Sequence, residues 1–199
     1  IVAKASYETT DPTVSNQMVA LKSSGADTFF NVTTPKWAAQ AIKIAAELGW
    51  KPTHYLNSVS SSVGSVMVPA GAENGIGVIS SNYFKDPADP VWANDKGFLE
   101  YKAWLEKNMP GANIAESFYV SGYVHAAATA QVIRQAGDDL TRANIMKQAA
   151  NLKNFENGML LPGIKLNTSA TDFYPVENKQ LMKWNGKSWE MFGEIYGPK

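Results

Sequence analysis

The chain has 199 residues, of which 45% are hydrophobic and 18% are charged, so it can bury a full core and is not intrinsically disordered. Basic and acidic side chains number 18 each, which argues against nucleic acid as a partner, since a nucleic-acid-binding protein needs a cationic face. There is no cysteine, which excludes disulfides, metal–thiolate sites and cysteine nucleophiles. No apolar run approaches the roughly 18 residues of a membrane span, so we expect a soluble protein of one or two domains.

The first half of the chain repeats one pattern, in which a short strand leads into a helix that stops at a glycine. We expect the first strand over residues 1–7. Asp11 and Pro12 are typical of a helix start, and Gly25 is typical of a helix end. Because the chain opens inside a strand pattern, we expect it to be a fragment of a longer protein.

The second repeat of the pattern follows the same rules. A strand over residues 27–32 precedes Thr34 and Pro35, which open a helix that ends at Gly49. A third strand over residues 53–57 then leads into a serine-rich turn. Each strand is thus expected to be followed by a polar loop.

The alternation continues with a short helix near residues 62–68 and a fourth strand over residues 76–81. Asp89 and Pro90 then predict the start of a helix over residues 91–108. Strands that alternate with helices of this length favour a parallel sheet with right-handed crossovers. The predicted fold class is therefore α/β, with a parallel sheet.

The pattern changes in the second half of the chain. We expect a long alanine-rich helix over residues 118–136 and a shorter helix over residues 141–151. Within residues 179–193, Asn185 and Gly186 separate two runs of alternating apolar and polar residues, which is the strongest short signal for a hairpin. The chain should therefore end in a β-hairpin.

The loops after the predicted strands carry hydroxyl, amide and aromatic groups with little charge. Ligands of open parallel sheets bind beyond the carboxyl ends of the strands, so these loops should converge on one crevice. The loops are residues 7–10, 32–35, 57–61 and 81–84. Aromatic side chains in loops and at helix starts can line such a pocket. The candidates of this kind are Tyr7, Tyr83, Phe84, Tyr119 and Tyr123.

Signatures of catalysis and of metal or cofactor binding are missing from the sequence. Of its two histidines, His125 is expected to be a packed or hydrogen-bonded helix residue, and His54 lies at the wrong end of its strand for the crevice. Gly71, Gly75 and Gly77 precede a strand instead of following one, so we interpret them as turn glycines and not as a dinucleotide loop. We expect no catalytic residue, no metal site and no cofactor.

Five stretches, in order along nearly the whole chain, carry a family resemblance. They are residues 25–30 (GADTFF), 37–43 (WAAQAIK) with Leu48-Gly49, 71–78 (GAENGIGV), 121–128 (SGYVHAAA) and 184–189 (WNGKSW). In this order and spacing they resemble the type I periplasmic solute-binding proteins of ABC transporters, in the branched-chain amino-acid-binding (extracellular ligand-binding receptor) group.

The resemblance implies two doubly wound lobes that are joined by crossover strands and trap a ligand between them. Residues 1–112 and 165–199 would form the C-terminal ligand-binding lobe, and residues 113–164 would belong to an N-terminal lobe, most of which is missing. The protein would be a non-enzymatic periplasmic component that delivers a small organic solute to an ABC transporter permease. It would meet the membrane only through that permease or through an upstream lipid anchor.

The resemblance also assigns candidate ligand contacts by position. Members of the group that bind amino acids hold the ligand ammonium with a carboxylate in the loop after the third strand, whereas residues 57–62 here contain no acid. We therefore expect an apolar or aromatic carboxylate or an amide as the ligand, and not an α-amino acid. The remaining candidate ligand-binding residues are Thr33, Thr34, Asn57, Ser58 and Ser121.

Two other functions stay open at this point. A small-molecule sensor or receptor domain can be built on the same fold, because fold does not determine function. An enzyme on a similar sheet would need a nucleotide motif or an acid–base pair, which this chain lacks but a missing half could supply.

Overall fold

A computed structural model describes residues 1–197, which form two compact units. The first unit consists of Ile1–Asn82, Ala88–Val91 and Leu181–Phe192. The second unit consists of Tyr83–Pro87, Trp92–Gln180 and residues 193–197. The predicted division into lobes concerns a longer protein and stays a prediction.

The sheet has five strands in the order β1-β2-β3-β4-β5. They are β1 (Thr28–Asn31), β2 (Thr53–Leu56), β3 (Ile79–Asn82), β4 (Lys179–Trp184) and β5 (Trp189–Tyr196). Strands β1, β2 and β3 are parallel, with Phe30 opposite Tyr55 and Tyr55 opposite Ile79. The α/β fold with a C-terminal hairpin is confirmed, and the three parallel strands lie within a mixed five-stranded sheet.

Two helices of the first unit, α1 (Ser15–Ser23) and α2 (Pro35–Glu47), pack beside this sheet. Apolar residues at helical spacing bury one side of α2, where Ile42 packs in a cluster with Leu56 and Ala41 packs in a cluster with Phe29. Helix α2 has a proline at its first position, and Gly49, with φ 64°, follows its end. The predicted boundaries of this helix are therefore confirmed.

Two tryptophans of the hairpin close the core of the first unit. Trp184 and Trp189 are buried with ring centroids 5.4 Å apart. The indole N–H of Trp184 donates to the carbonyl of Ala72 at 2.7 Å, and that of Trp189 donates to the carbonyl of Ser61 at 2.9 Å. Both buried donors are therefore satisfied, as a tryptophan in a core requires.

The second unit is mainly helical, with α3 (Lys96–Asn108), α4 (Ser117–Ala136) and α5 (Arg142–Ala149). Its core joins Tyr101 and Leu105 of α3 to Val120 and Val124 of α4. Helix α5 begins where predicted, because the hydroxyl of Thr141 accepts a hydrogen bond from the N–H of Asn144. None of the helices within residues 1–197 is long and apolar enough to cross a membrane.

The strand predicted over residues 1–7 is wrong. These residues adopt no regular secondary structure, and Ile1 and Val2 are exposed. A strand needs a neighbour for its backbone groups and a face to bury, and within the described part of the chain this segment has neither. Only Tyr7, at its end, packs closely, with its ring 5.3 Å from that of Trp37.

The helix predicted to start at Asp11 begins later, at Ser15. The N–H of Asp11 donates to the carbonyl of Glu8, and the carboxylate of Asp11 accepts from the N–H of Glu8 at 2.9 Å. Asp11 therefore closes the turn before it instead of capping the helix after it.

The start predicted at Asp89 is wrong for a similar reason. Its carboxylate accepts from the backbone N–H groups of Val91 and Trp189, so Pro90–Trp92 makes only one 3₁₀ turn. Helix α3 starts at Lys96, where the carboxylate of Asp95 accepts from the N–H of Phe98 at 3.0 Å.

The fourth strand is also shorter than predicted, since β3 begins at Ile79 and not at residue 76. The glycines before it form the turn that displaces the strand, with φ 81° at Gly71 and φ 92° at Gly77. The interpretation of these glycines as turn residues is confirmed. Ala72–Gly75 forms a 3₁₀ turn between them.

Candidate functional site

Two polar loops meet beyond the carboxyl ends of β1 and β2. The phenol oxygen of Tyr7 accepts a hydrogen bond from the N–H of Thr34 at 2.9 Å and lies 3.1 Å from the Thr34 hydroxyl. The side-chain amide of Asn57 donates to the carbonyl of Thr33 at 2.8 Å. The structure thus brings together four of the predicted residues, although their role in ligand binding stays a prediction.

The side chain at the centre of these loops is Asn31, which the sequence analysis missed. It is 2% exposed at the last position of β1. The side-chain oxygen of Asn31 accepts hydrogen bonds from the N–H of Thr33 at 3.2 Å and from the Thr33 hydroxyl at 2.7 Å. Its backbone carbonyl accepts from both the backbone and the side-chain amide of Asn57. Asn31 therefore connects the two loops.

A second residue, His54, lies behind Asn31 in the buried layer of the sheet. Its Nε2 is 3.2 Å from the side-chain nitrogen of Asn31, and its ring centroid is 4.7 Å from that of Phe29. Burial lowers the pKa of His54 from 6.5 to about 4. The imidazole is therefore neutral near pH 7 and serves as a hydrogen-bonding partner instead of a charge.

The serine-rich turn after β2 is held by its own hydroxyl groups. Ser60 is buried, and its hydroxyl donates to the carbonyl of Thr33 at 2.5 Å. The carbonyl of Ser58 accepts from the hydroxyl of Ser61, which in turn lies 3.3 Å from the side-chain nitrogen of Asn82 at the end of β3. Ser58 itself is half-buried. The turn thus presents neutral polar groups beside Thr33.

The remaining predicted residues lie in the second unit. The rings of Tyr83 and Phe84 meet edge to face, with centroids 4.9 Å apart. The Tyr83 hydroxyl lies 3.4 Å from that of Ser121, and the Nδ1 of His125 donates to the Ser121 carbonyl at 2.7 Å. The structure therefore brings Tyr83, Phe84 and Ser121 into one neighbourhood and places His125 on the surface of α4.

Tyr119 and Tyr123 contribute to packing. Tyr123 lies between Tyr101 and Trp104, with ring centroids 5.2 Å and 5.1 Å away, and Tyr119 is half-buried against the same core. Burial raises the pKa of Tyr101 to about 12, and its buried hydroxyl has no hydrogen-bond partner within residues 1–197. Both predicted tyrosines thus have a structural role whatever else they contact.

Two acidic side chains, Asp89 and Asp95, are held by hydrogen bonds from neighbouring groups. Burial raises the pKa of Asp89, against the opposing hydrogen bonds from Trp189 and Val91. Burial would also raise the pKa of Asp95, but the hydrogen bond and charge of Lys85 lower it below its usual value. Within the described residues, no group of three or more histidine, aspartate or glutamate side chains is placed to hold a metal ion.

Comparisons with known proteins agree with this architecture. The family model described as "Periplasmic binding protein" matches residues 1–188. No curated protein matches the chain.

Solved structures share the fold at low sequence identity. A branched-chain amino acid ABC transporter protein from Thermus thermophilus with bound valine matches with a TM-score of 0.81 and 16% identity, over 98% of this chain and 52% of that one. A fatty acid ABC transporter substrate-binding protein from Thermomonospora curvata matches with a TM-score of 0.70 and 19% identity, over 97% and 49%. An extracellular ligand-binding receptor from Rhodopseudomonas palustris HaA2 matches with a TM-score of 0.69 and 18% identity, over 92% and 52%.

The chain thus spans about half the length of these structures. The family match covers most of the chain and includes β1 to β4 and the loops between them. The chain therefore belongs to the periplasmic binding protein family.

Proposed function

We propose that this chain is the C-terminal half of the substrate-binding component of an ABC transporter, which traps a small organic solute in the periplasm and delivers it to a membrane permease. Three observations support the proposal: the family match over residues 1–188, the half-length correspondence with transporter proteins, and the neutral polar loops around Thr33. The last of these carries the proposal, because such loops can bind a solute but contain no pair of groups for acid–base chemistry.

In the full-length protein, residues 1–112 and 165–199 would form one lobe, and residues 113–164 would pack with the other. The half-length correspondence with the solved structures supports a partner lobe outside this chain. The solute would be held between the two lobes. The permease would recognise the state in which the two lobes have closed on the solute.

The ligand proposed for this site has an apolar or aromatic body and ends in a carboxylate or an amide. An ammonium group that is desolvated in a closed site needs an anionic or carbonyl-rich partner, since a buried unpaired charge is costly. The turn after β2 provides Asn57, Ser58 and Ser60 but no carboxylate. This is the reason why valine, present in the Thermus thermophilus structure, is not the proposed ligand here.

Calorimetry of the full-length protein tests the ligand class. We expect binding to members of a panel of aromatic and branched aliphatic acids and amides, and weak or no binding to leucine, isoleucine and valine. Mass spectrometry after incubation should recover the bound compound unchanged. Submicromolar binding of a branched-chain amino acid alone would reject the ligand class, and product accumulation would reject the binding-only function in favour of an enzyme.

A substitution at Ser58 tests the site itself. We expect Ser58→Ala to weaken binding of the best panel member by about five- to hundredfold, since a buried partner that loses its hydrogen bond costs about 1–3 kcal/mol. Ser23→Ala is the matched control, because Ser23 lies on the surface of α1 and its hydroxyl donates only within that helix. Equal affinities of the two variants would show that Ser58 is not a ligand contact.

A further inference from the structure

The orientation of the Asn31 side chain is fixed by a group that can only donate. The backbone N–H of Thr33 points at one end of the Asn31 side chain, 3.2 Å away. A backbone N–H has no lone pair to offer, so the atom facing it must be the amide oxygen. The amide nitrogen of Asn31 must then face the opposite direction, toward His54.

The imidazole of His54 is compatible with this orientation on the other side of the amide. Its Nε2, 3.2 Å from the Asn31 nitrogen, has to accept a hydrogen bond from that nitrogen. A neutral ring can do this when its proton is on Nδ1, and burial keeps this ring neutral because it lowers the pKa to about 4. The Thr33 N–H thus sets the amide orientation, and the Nδ1–H tautomer of His54 complements it.

This orientation determines the direction of the Thr33 hydroxyl group. The hydroxyl oxygen lies 2.7 Å from the Asn31 amide oxygen, which carries no hydrogen. Thr33 must therefore donate its single hydroxyl proton to Asn31. Only the lone pairs of the Thr33 oxygen remain, on a side chain that is partly exposed.

Two other side chains of this loop pair, Asn57 and Ser60, use their donors internally. Asn57 has two side-chain N–H groups, and they donate to the carbonyls of Asn31 and Thr33 at 3.2 Å and 2.8 Å. The Ser60 hydroxyl donates to the same Thr33 carbonyl. Thr33 thus offers its surroundings an acceptor, with the donors of Asn57 and Ser60 already committed.

We propose that the Thr33 hydroxyl is a fixed hydrogen-bond acceptor in the ligand site, so that the bound solute presents an uncharged donor there, a carboxamide N–H in preference to a carboxylate oxygen. The inference rests on the proposed binding function, and it narrows the ligand from an acid or amide to an amide. A carboxylate would place lone pairs against lone pairs at this position, whereas the amide of the same shape places a proton there.

Isosteric pairs of small molecules test this directly in the full-length protein. Benzamide is compared with benzoate, and isobutyramide with isobutyrate, by calorimetry at pH 7. We expect the amide of the better-binding pair to bind at least about fivefold more tightly than its acid, which is the lower end for one mismatched buried hydrogen bond. Tighter binding of the acids would overturn the inference and leave the binding function in place. Binding of none of the four compounds would overturn both.

Two variants of Thr33 show whether this hydroxyl is responsible. Thr33→Ser keeps the oxygen and should keep the preference for the amide, whereas the isosteric Thr33→Val should reduce the preference to less than about twofold. Both changes are at a partly exposed position, so both variants are expected to fold. A preference that survives in Thr33→Val would assign the selectivity to another group and overturn the inference.

A third variant tests the role of Asn31 as a positioning residue. Asn31→Leu removes the acceptor of the Thr33 proton, and the hydroxyl can then rotate and donate to a ligand. We expect the ratio of amide to acid affinity to fall in Asn31→Leu, with no further fall in Asn31→Leu combined with Thr33→Val. A change in stability alone would lower both affinities together, so an unchanged ratio in the folded variant would contradict the positioning role.

Discussion

Replacing Gly97 with alanine is expected to destabilise the second unit by about 3 kcal/mol, at the upper end of the cost of overpacking. A Cβ atom at this position would lie 2.5 Å from the carbonyl carbon of Gly158 and still closer to its oxygen. The obstacle is backbone, which cannot rotate away as a side chain can. The first turn of α3 or the segment around Gly158 would have to move.

The movement would also disturb a buried charge. The ammonium of Lys85, which is 7% exposed, donates to the carbonyl of Gly158 at 2.8 Å and to the carboxylate of Asp95 at 2.7 Å. Displacing the Gly158 carbonyl removes one of these partners, and a buried ammonium with fewer partners is costly. Gly97→Ala therefore combines a steric cost with an electrostatic one.

Urea unfolding of the full-length protein measures this effect, and Gly122→Ala is its control. Gly122 lies inside α4, and apart from its own helical turn no atom of residues 1–197 would lie within 4 Å of a Cβ there. Alanine at this position should therefore stabilise the protein by about 0.5–1 kcal/mol through helix propensity. The two glycines are both helical, yet the two alanines should change the unfolding midpoint in opposite directions. A Gly97→Ala midpoint at or above that of the parent protein would contradict the close approach to Gly158.

The parts of the fold that follow from local rules could be predicted from the sequence. Helix α2 has its proline, its apolar spacing and its terminal glycine within one short segment, and the hairpin has Asn185 and Gly186 between alternating runs. The meeting of the Thr33 and Asn57 loops was also predictable, because the carboxyl ends of adjacent parallel strands lie at one edge of a sheet.

The predictions failed where the local pattern does not specify which partner a residue finds. The apolar run at residues 1–7 looks like a strand locally, but a strand exists only with a neighbour, which the run itself does not specify. Asp11 and Asp89 each precede a proline as helix caps do, yet each finds other backbone donors. For Asp89, one of these donors is the N–H of Trp189, at the start of β5 and 100 residues further along the chain.

Asn31 was missed because its function depends on the register between strands. It follows Phe29 at the two-residue spacing of the buried face of β1, and His54 precedes Leu56 at the same spacing in β2. The sequence does contain a signal for this site, because it places a polar residue at a buried position in each of two adjacent strands. They become a pair only because Phe29 lies opposite His54, which brings Asn31 within reach of the ring.

We expect acid to destabilise the protein through His54 by about 3 kcal/mol between pH 7 and pH 4. The pKa of the histidine is about 4 in the folded state and near 6.5 when the chain is unfolded. Between these values the unfolded chain binds the proton and the folded chain does not, so the free energy of unfolding falls as the pH falls through this range. At about 1.4 kcal/mol per pH unit, nearly the whole effect has developed by pH 4.

Other groups also titrate in this range, so the contribution of His54 has to be isolated by difference. His54→Gln removes the titration and leaves a side chain that can still accept from Asn31, whereas His125→Gln removes the exposed histidine of α4. Urea unfolding at pH 7, 6, 5 and 4 should give a curve for His125→Gln parallel to that of the parent protein. The curve for His54→Gln should lose about 3 kcal/mol less over the same range. Parallel curves for all three proteins would mean that the pKa of His54 is the same in the folded and the unfolded chain, which would contradict the lowering of this pKa by burial.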